Sequence, residues 1–81
     1  MFSYKTHGVC SSSINIEIEN NKILSVDFVG GCPGNLLGIG ELVKGMDIDL
    51  AISKLQGIKC KSKDTSCPDQ LANALIEWKS K

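Results

Sequence analysis

The sequence predicts an α+β layer sandwich: a three-stranded antiparallel sheet followed by three helices packed on one face. Three observations predict it. Strict alternation over Ile14-Asn15-Ile16-Glu17-Ile18-Glu19 is answered, after Asn20-Asn21, by a second extended run from Lys22 to Val29. From Pro33 the apolar period turns helical. Two stretches, Cys32-Pro33-Gly34-Asn35-Leu36 and Cys67-Pro68-Asp69-Gln70-Leu71, each read as a helix start, with Cys at or beside the N-cap and Pro at the first helical position, where its missing N–H costs nothing.

The elements follow in order. Phe2 to His7 alternates, with Phe2 and Tyr4 on one face and Ser3, Lys5 and His7 on the other, and reads as an edge strand. Gly8 loosens the chain ahead of Cys10, and Ser11, Ser12 and Ser13 lead into the second strand. For the hairpin, the face of Ile14, Ile16 and Ile18 must meet that of Leu24, Val26 and Phe28. This pairs Ile18 with Leu24, Ile16 with Val26 and Ile14 with Phe28 across a three-residue loop. Continued to the other end, the same register sets Cys10 opposite Cys32, both core-facing, with Cβ atoms about 4.5–5.5 Å apart. Leu36, Leu37, Ile39, Leu42 and Val43 then form a broad helical stripe as far as Gly45. Gly38 and Gly40 within it imply close packing, since each costs roughly 1 kcal/mol of helix propensity against Ala. Asp47 caps a second helix carrying Ile48, Ala51, Ile52 and Leu55 and stopped by Gly57. A lysine-rich connection from Ile58 to Asp64 holds Cys60. The last helix runs from Pro68 to about Lys79, with Leu71, Ala74, Leu75 and Trp78 on one side.

At 81 residues the expectation is one domain over residues 1–81, small enough for a staple to matter. A formal net charge of zero with interspersed signs provides no basic field for nucleic acid. The start, Met1-Phe2-Ser3-Tyr4-Lys5, has no signal-peptide pattern and no apolar run approaches membrane-spanning length, so the expected location is cytoplasmic. In that setting four cysteines point to metal or redox use rather than disulfides.

A sulfur at a helix start faces free N–H groups and the positive end of the macrodipole, which favour a thiolate; this singles out Cys32 and Cys67. Thiolates bind zinc and iron–sulfur clusters, but the spacing of Cys10, Cys32, Cys60 and Cys67 matches no CxxC finger or ribbon. Metal binding would therefore depend on convergence in space. His7 reads as a surface residue. Only Asp64 and Asp69 lie near a cysteine in sequence, which argues against hydrolase chemistry. Gly30-Gly31-Cys32-Pro33-Gly34 has neither a GxGxxG frame nor a Walker lysine. The open alternatives are four metal ligands, a thiol redox module, and a partner-binding domain with inert thiols.

Thr65-Ser66-Cys67-Pro68-Asp69, with Gly31-Cys32-Pro33-Gly34-Asn35, resembles the signature of the TSCPD domain, and the similarity covers nearly the whole chain. That family occurs as small free-standing proteins and as a tail on some adenosylcobalamin-dependent ribonucleotide reductases. The resemblance implies a ribonucleotide reductase as a partner and any reductase activity only as part of a larger enzyme, because 81 residues cannot enclose such a site. More remotely, the chain is similar to the NifU-like iron–sulfur cluster assembly scaffold. There a cysteine opens a long hairpin, a second follows it at a Gly-Cys, and a third starts the final helix, as Cys10, Cys32 and Cys67 do here. This likeness implies a NifU-like fold, a cluster-assembly partner, and zinc or an iron–sulfur cluster as cofactor. The scaffold carries aspartate where this chain has Ser12 and histidine where it has Ser66. The likeness then implies Cys60 as the replacement fourth ligand, and a four-thiolate shell suits firmly held zinc better than cluster delivery.

Overall fold

The computed structural model describes residues 2–31, 33–59 and 64–80. In chain order it contains β1 (Phe2–Lys5), β2 (Ser11–Glu19), β3 (Lys22–Gly30), α1 (Pro33–Val43), α2 (Ile48–Leu55) and α3 (Cys67–Lys79). The three strands form one antiparallel sheet in the order β1-β2-β3, and the expected succession of strands before helices is observed. Phe2 and Tyr4 pair with Ile16 and Ile14, which leaves β1 on the sheet edge. The β3 end of the sheet is closed off differently.

The β2–β3 hairpin corrects the expected register near its turn. Asn20 and Asn21 both have positive φ, 54° and 64°, the two left-handed residues of a type I′ turn, whose twist matches that of the flanking strands. A two-residue turn sets Glu19 against Lys22 and Ile18 against Ile23, whereas Ile16–Val26 and Ile14–Phe28 are one residue out of step with it. A bulge between these pairs absorbs the mismatch, and Leu24 is its extra residue. Leu24 is thus 47% exposed, and Ile23 takes the core position with no exposure.

The outer margin of β3 near the turn is covered by the segment joining α1 to α2. Ile23 N–H donates to Met46 O at 3.0 Å, Gly45 N–H to Ile23 O at 2.7 Å, and Ile48 N–H to Asn21 O at 3.0 Å. Asp47 follows as the N-cap of α2, accepting from the N–H groups of Asp49 and Leu50, as its sequence position predicts.

Helix α1 lies on β3 by a face narrower than the sequence stripe. Leu36, Gly40 and Val43 are buried and Ile39 half-buried, a spacing of three and four along one side. Leu37 and Leu42 project from other sides and are 69% and 78% exposed. Of the two glycines expected to allow close packing, only Gly40 does so: a Cβ there would stand 2.9 Å from the Val26 carbonyl oxygen, whereas nothing lies within 4 Å of one at Gly38.

Helix α3 begins with Ser66 as N-cap, so Cys67 is its first residue and Pro68 its second, one place later than the sequence pattern suggests. Its inner face buries Cys67, Gln70, Leu71, Ala72, Ala74 and Leu75. Leu71, Ala74 and Leu75 meet Ile14, Ile16 and Ile23 from the sheet and Val43, Ile48 and Ala51 from the other helices in a single apolar core. Lys79 pairs with Asp49 to join α3 to α2 at the surface. No helix among the described residues is long and apolar enough to cross a membrane.

Candidate functional site

At the end of the sheet remote from the hairpin turn, the hairpin has a second bulge, this one in β2. Ser13 pairs with Val29 but Ser11 pairs with Gly30, so Ser12 is the extra residue. A bulge re-aims the side chains beyond it. Ser12 turns outward and its hydroxyl donates to Val29 O at 3.1 Å, while Ser11 turns inward and is buried. The Ser11 hydroxyl lies 3.3 Å from the sulfur of Cys67, which is itself buried at the start of α3. Cys10, exposed, places its sulfur 3.9 Å from that of Cys67.

This bulge also changes what faces Cys10. The unbroken register would set it opposite Cys32 on the core side; instead Cys10 is exposed and its sulfur packs on Gly31. A Cβ at Gly31 would come within 3.1 Å of the Cys10 sulfur and 2.8 Å of Leu36 Cδ1, and φ there is +83°. Only glycine lets the backbone approach the sulfur so closely. Beside it, an open groove of about 300 Å³ runs between β3 and α1, with Phe28, Gly31 and Leu36 among its walls. Of the predicted ligands, the structure therefore brings Cys10 and Cys67 together. Cys32 and Cys60 lie outside the described residues.

The start of α3 is held by a polar network. The Ser66 hydroxyl donates to Ile58 O at 2.6 Å and accepts from Asp69 N–H at 3.2 Å. Asp69 accepts from Gly57 N–H at 2.7 Å through one oxygen and from the Thr65 hydroxyl at 2.5 Å through the other. Gln70 accepts from His7 N–H at 3.0 Å and donates to the Thr65 hydroxyl at 3.0 Å. Thr6 completes the ring, its hydroxyl donating to Ser11 O at 2.5 Å. The β1–β2 connection, the segment after α2 and the first turn of α3 are thus tied together around the two sulfurs. His7 takes part only through its backbone and its side chain is exposed, as its sequence position suggests.

A family model described as the TSCPD domain matches residues 2–79. The chain belongs to the TSCPD domain family. Neither the curated proteins nor the solved structures contain a match. In this TSCPD domain the polar side chains of the signature have clear local roles: Thr65 orients Asp69, Ser66 caps the helix, Cys67 supplies the buried sulfur, and Asp69 straps the loop at Gly57. Pro68, in the first turn, has no N–H to leave unsatisfied.

Ser11, Thr6 and Gln70 were not legible as parts of this site. A run of three serines reads as a lead-in to a strand, and nothing local announces which of them a bulge will turn inward. Gln70 follows an acidic first-turn residue, yet its partner His7 lies 63 positions away.

Proposed function

We propose that this TSCPD domain binds a thiophilic metal, as zinc or an iron–sulfur cluster, through Cys10 and Cys67, with Cys32 and Cys60 completing the shell. One distance carries the reading. Two sulfurs bound to one tetrahedral zinc at about 2.3 Å stand about 3.8 Å apart. Cys10 and Cys67 are separated by 3.9 Å, the edge of such a tetrahedron.

The donor chemistry agrees. Among the described residues the groups beside the Cys67 sulfur are the Cys10 sulfur and the Ser11 hydroxyl, a soft set suited to zinc or iron rather than to magnesium or calcium. No group of three or more metal-binding side chains occurs among the described residues, so the shell requires Cys32 and Cys60. When bound, the metal would supply a cross-link between the β1–β2 connection and α3, the kind of staple a chain of this size benefits from. A reducing, cytoplasmic setting suits this role because the ligands must remain thiols.

Protein purified without oxygen under reducing conditions is expected to carry roughly one zinc per chain or a visible cluster absorption. Cys67→Ser and Cys32→Ser should each lose the metal and much of the stability. A chain that arrives without metal and retains none after reconstitution would refute the reading.

A further inference from the structure

We infer that Cys10 and Cys67 form a reversible disulfide, and that the domain exchanges it with external disulfides through Cys10. The inference does not rest on metal binding. The two sulfurs are 57 positions apart in sequence and 3.9 Å apart in space, and a disulfide requires about 2.05 Å. Cys67 is pinned at the first residue of α3, whereas Cys10 lies in an exposed connection, so Cys10 is the partner that swings.

The pair is asymmetric in a way that fixes the course of exchange. Thiol–disulfide exchange proceeds by attack of one sulfur on another, through a mixed disulfide. Cys10 is open to solvent beside the groove between β3 and α1, and Cys67 is buried. An external disulfide is therefore met by Cys10: its S–S bond breaks, a bond to Cys10 forms, and one external thiol leaves. Cys67 then attacks the Cys10 sulfur, the Cys10–Cys67 bond forms, and the second external thiol leaves. Two protein thiols are oxidised to one disulfide, and one external disulfide is reduced to two thiols. In reverse, an external thiol attacks Cys10 and Cys67 is the departing sulfur. It departs 3.3 Å from the Ser11 hydroxyl, which can donate to it. Ser11 is thus a positioning residue for the departing sulfur.

The test uses the full chain, stripped of metal with a chelator and equilibrated over a series of reduced-to-oxidised glutathione ratios. Samples are quenched by alkylation and mapped by mass spectrometry. The expected result is one two-electron transition that joins the peptides holding Cys10 and Cys67, and the same link in Cys32→Ser/Cys60→Ser. Ser11→Ala should shift the midpoint ratio about fivefold toward the disulfide and slow its reduction, the effect of losing one hydrogen bond to the departing sulfur. Ser11→Thr should restore both. A map joining Cys10 to Cys32 or Cys60, or a glutathione adduct on Cys10 that never closes onto Cys67, overturns the inference. Metal is absent throughout, so failure to bind zinc and failure to form this disulfide are separate results.

Discussion

Gly40 and Gly38 sit two residues apart in one helix, and the same substitution should move stability in opposite directions at the two sites. Replacing a helical glycine with alanine normally stabilises by about 0.5–1 kcal/mol, because the unfolded chain has less freedom to lose. At Gly38 nothing stands within 4 Å of the added methyl, so Gly38→Ala should show that gain in full. At Gly40 the methyl would lie 2.9 Å from the Val26 carbonyl oxygen, a backbone atom fixed in β3. Helix α1 must then move off the sheet, and overpacking of this kind costs about 1–3 kcal/mol. After subtracting the propensity gain, Gly40→Ala should destabilise by up to about 2.5 kcal/mol. Across the pair the propensity gain cancels and the midpoints of thermal unfolding should differ by about 4 °C or more, with Gly38→Ala above the parent protein and Gly40→Ala below it. Urea titration of the three chains, followed through the single tryptophan, gives the free energies directly. If Gly40→Ala stabilises as much as Gly38→Ala does, the close approach of α1 to β3 is refuted.

Ser66→Ala removes the N-cap of α3 and one tie to Ile58, and should cost about 1–2 kcal/mol in chemical unfolding. Asn21→Gly should leave stability nearly unchanged, while Asn21→Val, forced into a left-handed conformation, should cost about 1–2 kcal/mol by the same measurement. Tyr4 should ionise above its ordinary value of 10.0, chiefly because burial disfavours the phenolate and secondarily because Glu77 and Asp69 repel it. The unfolded chain therefore gives up this proton first. The Tyr4 contribution is intact below about pH 10 and is lost as pH rises through the folded value, a loss absent from Tyr4→Phe. As Tyr4 is the chain's only tyrosine, phenolate absorbance reports this titration without overlap from another phenol.

The elements were legible because their signals are local. Alternation over 14–19 and 22–29, the asparagine pair, Asp47 and the two Cys-Pro starts each depend on neighbours a few residues away. The two bulges were not legible, and the one at Leu24 arises from a conflict between distant requirements. The type I′ turn demands one register and the isoleucine pairs another, and neither Leu24 nor Ser12 carries a mark of the settlement. The same limit explains α1: Leu37 and Leu42 count toward apolar periodicity, but only contact with β3 decides which side is covered. For the site, helix-start chemistry singled out Cys67 and hairpin geometry singled out Cys10. The inward turn of Ser11 and the position of Gly31 against the Cys10 sulfur depend on the bulge and were invisible without it.

Gly45 and Ile48 donate to the carbonyls of Ile23 and Asn21, and Met46 O accepts from Ile23 N–H, which makes that short connection a stub of a fourth strand, with Lys22 and Asp47 facing each other as an antiparallel bridge. An uncovered strand margin is where a foreign chain adds on and fibrils nucleate. Here the margin beside the turn is already occupied by the polypeptide itself, and Gly40 crowds it again at Val26. At the opposite margin among the described residues stands β1, a four-residue template that ends in a lysine and so propagates poorly.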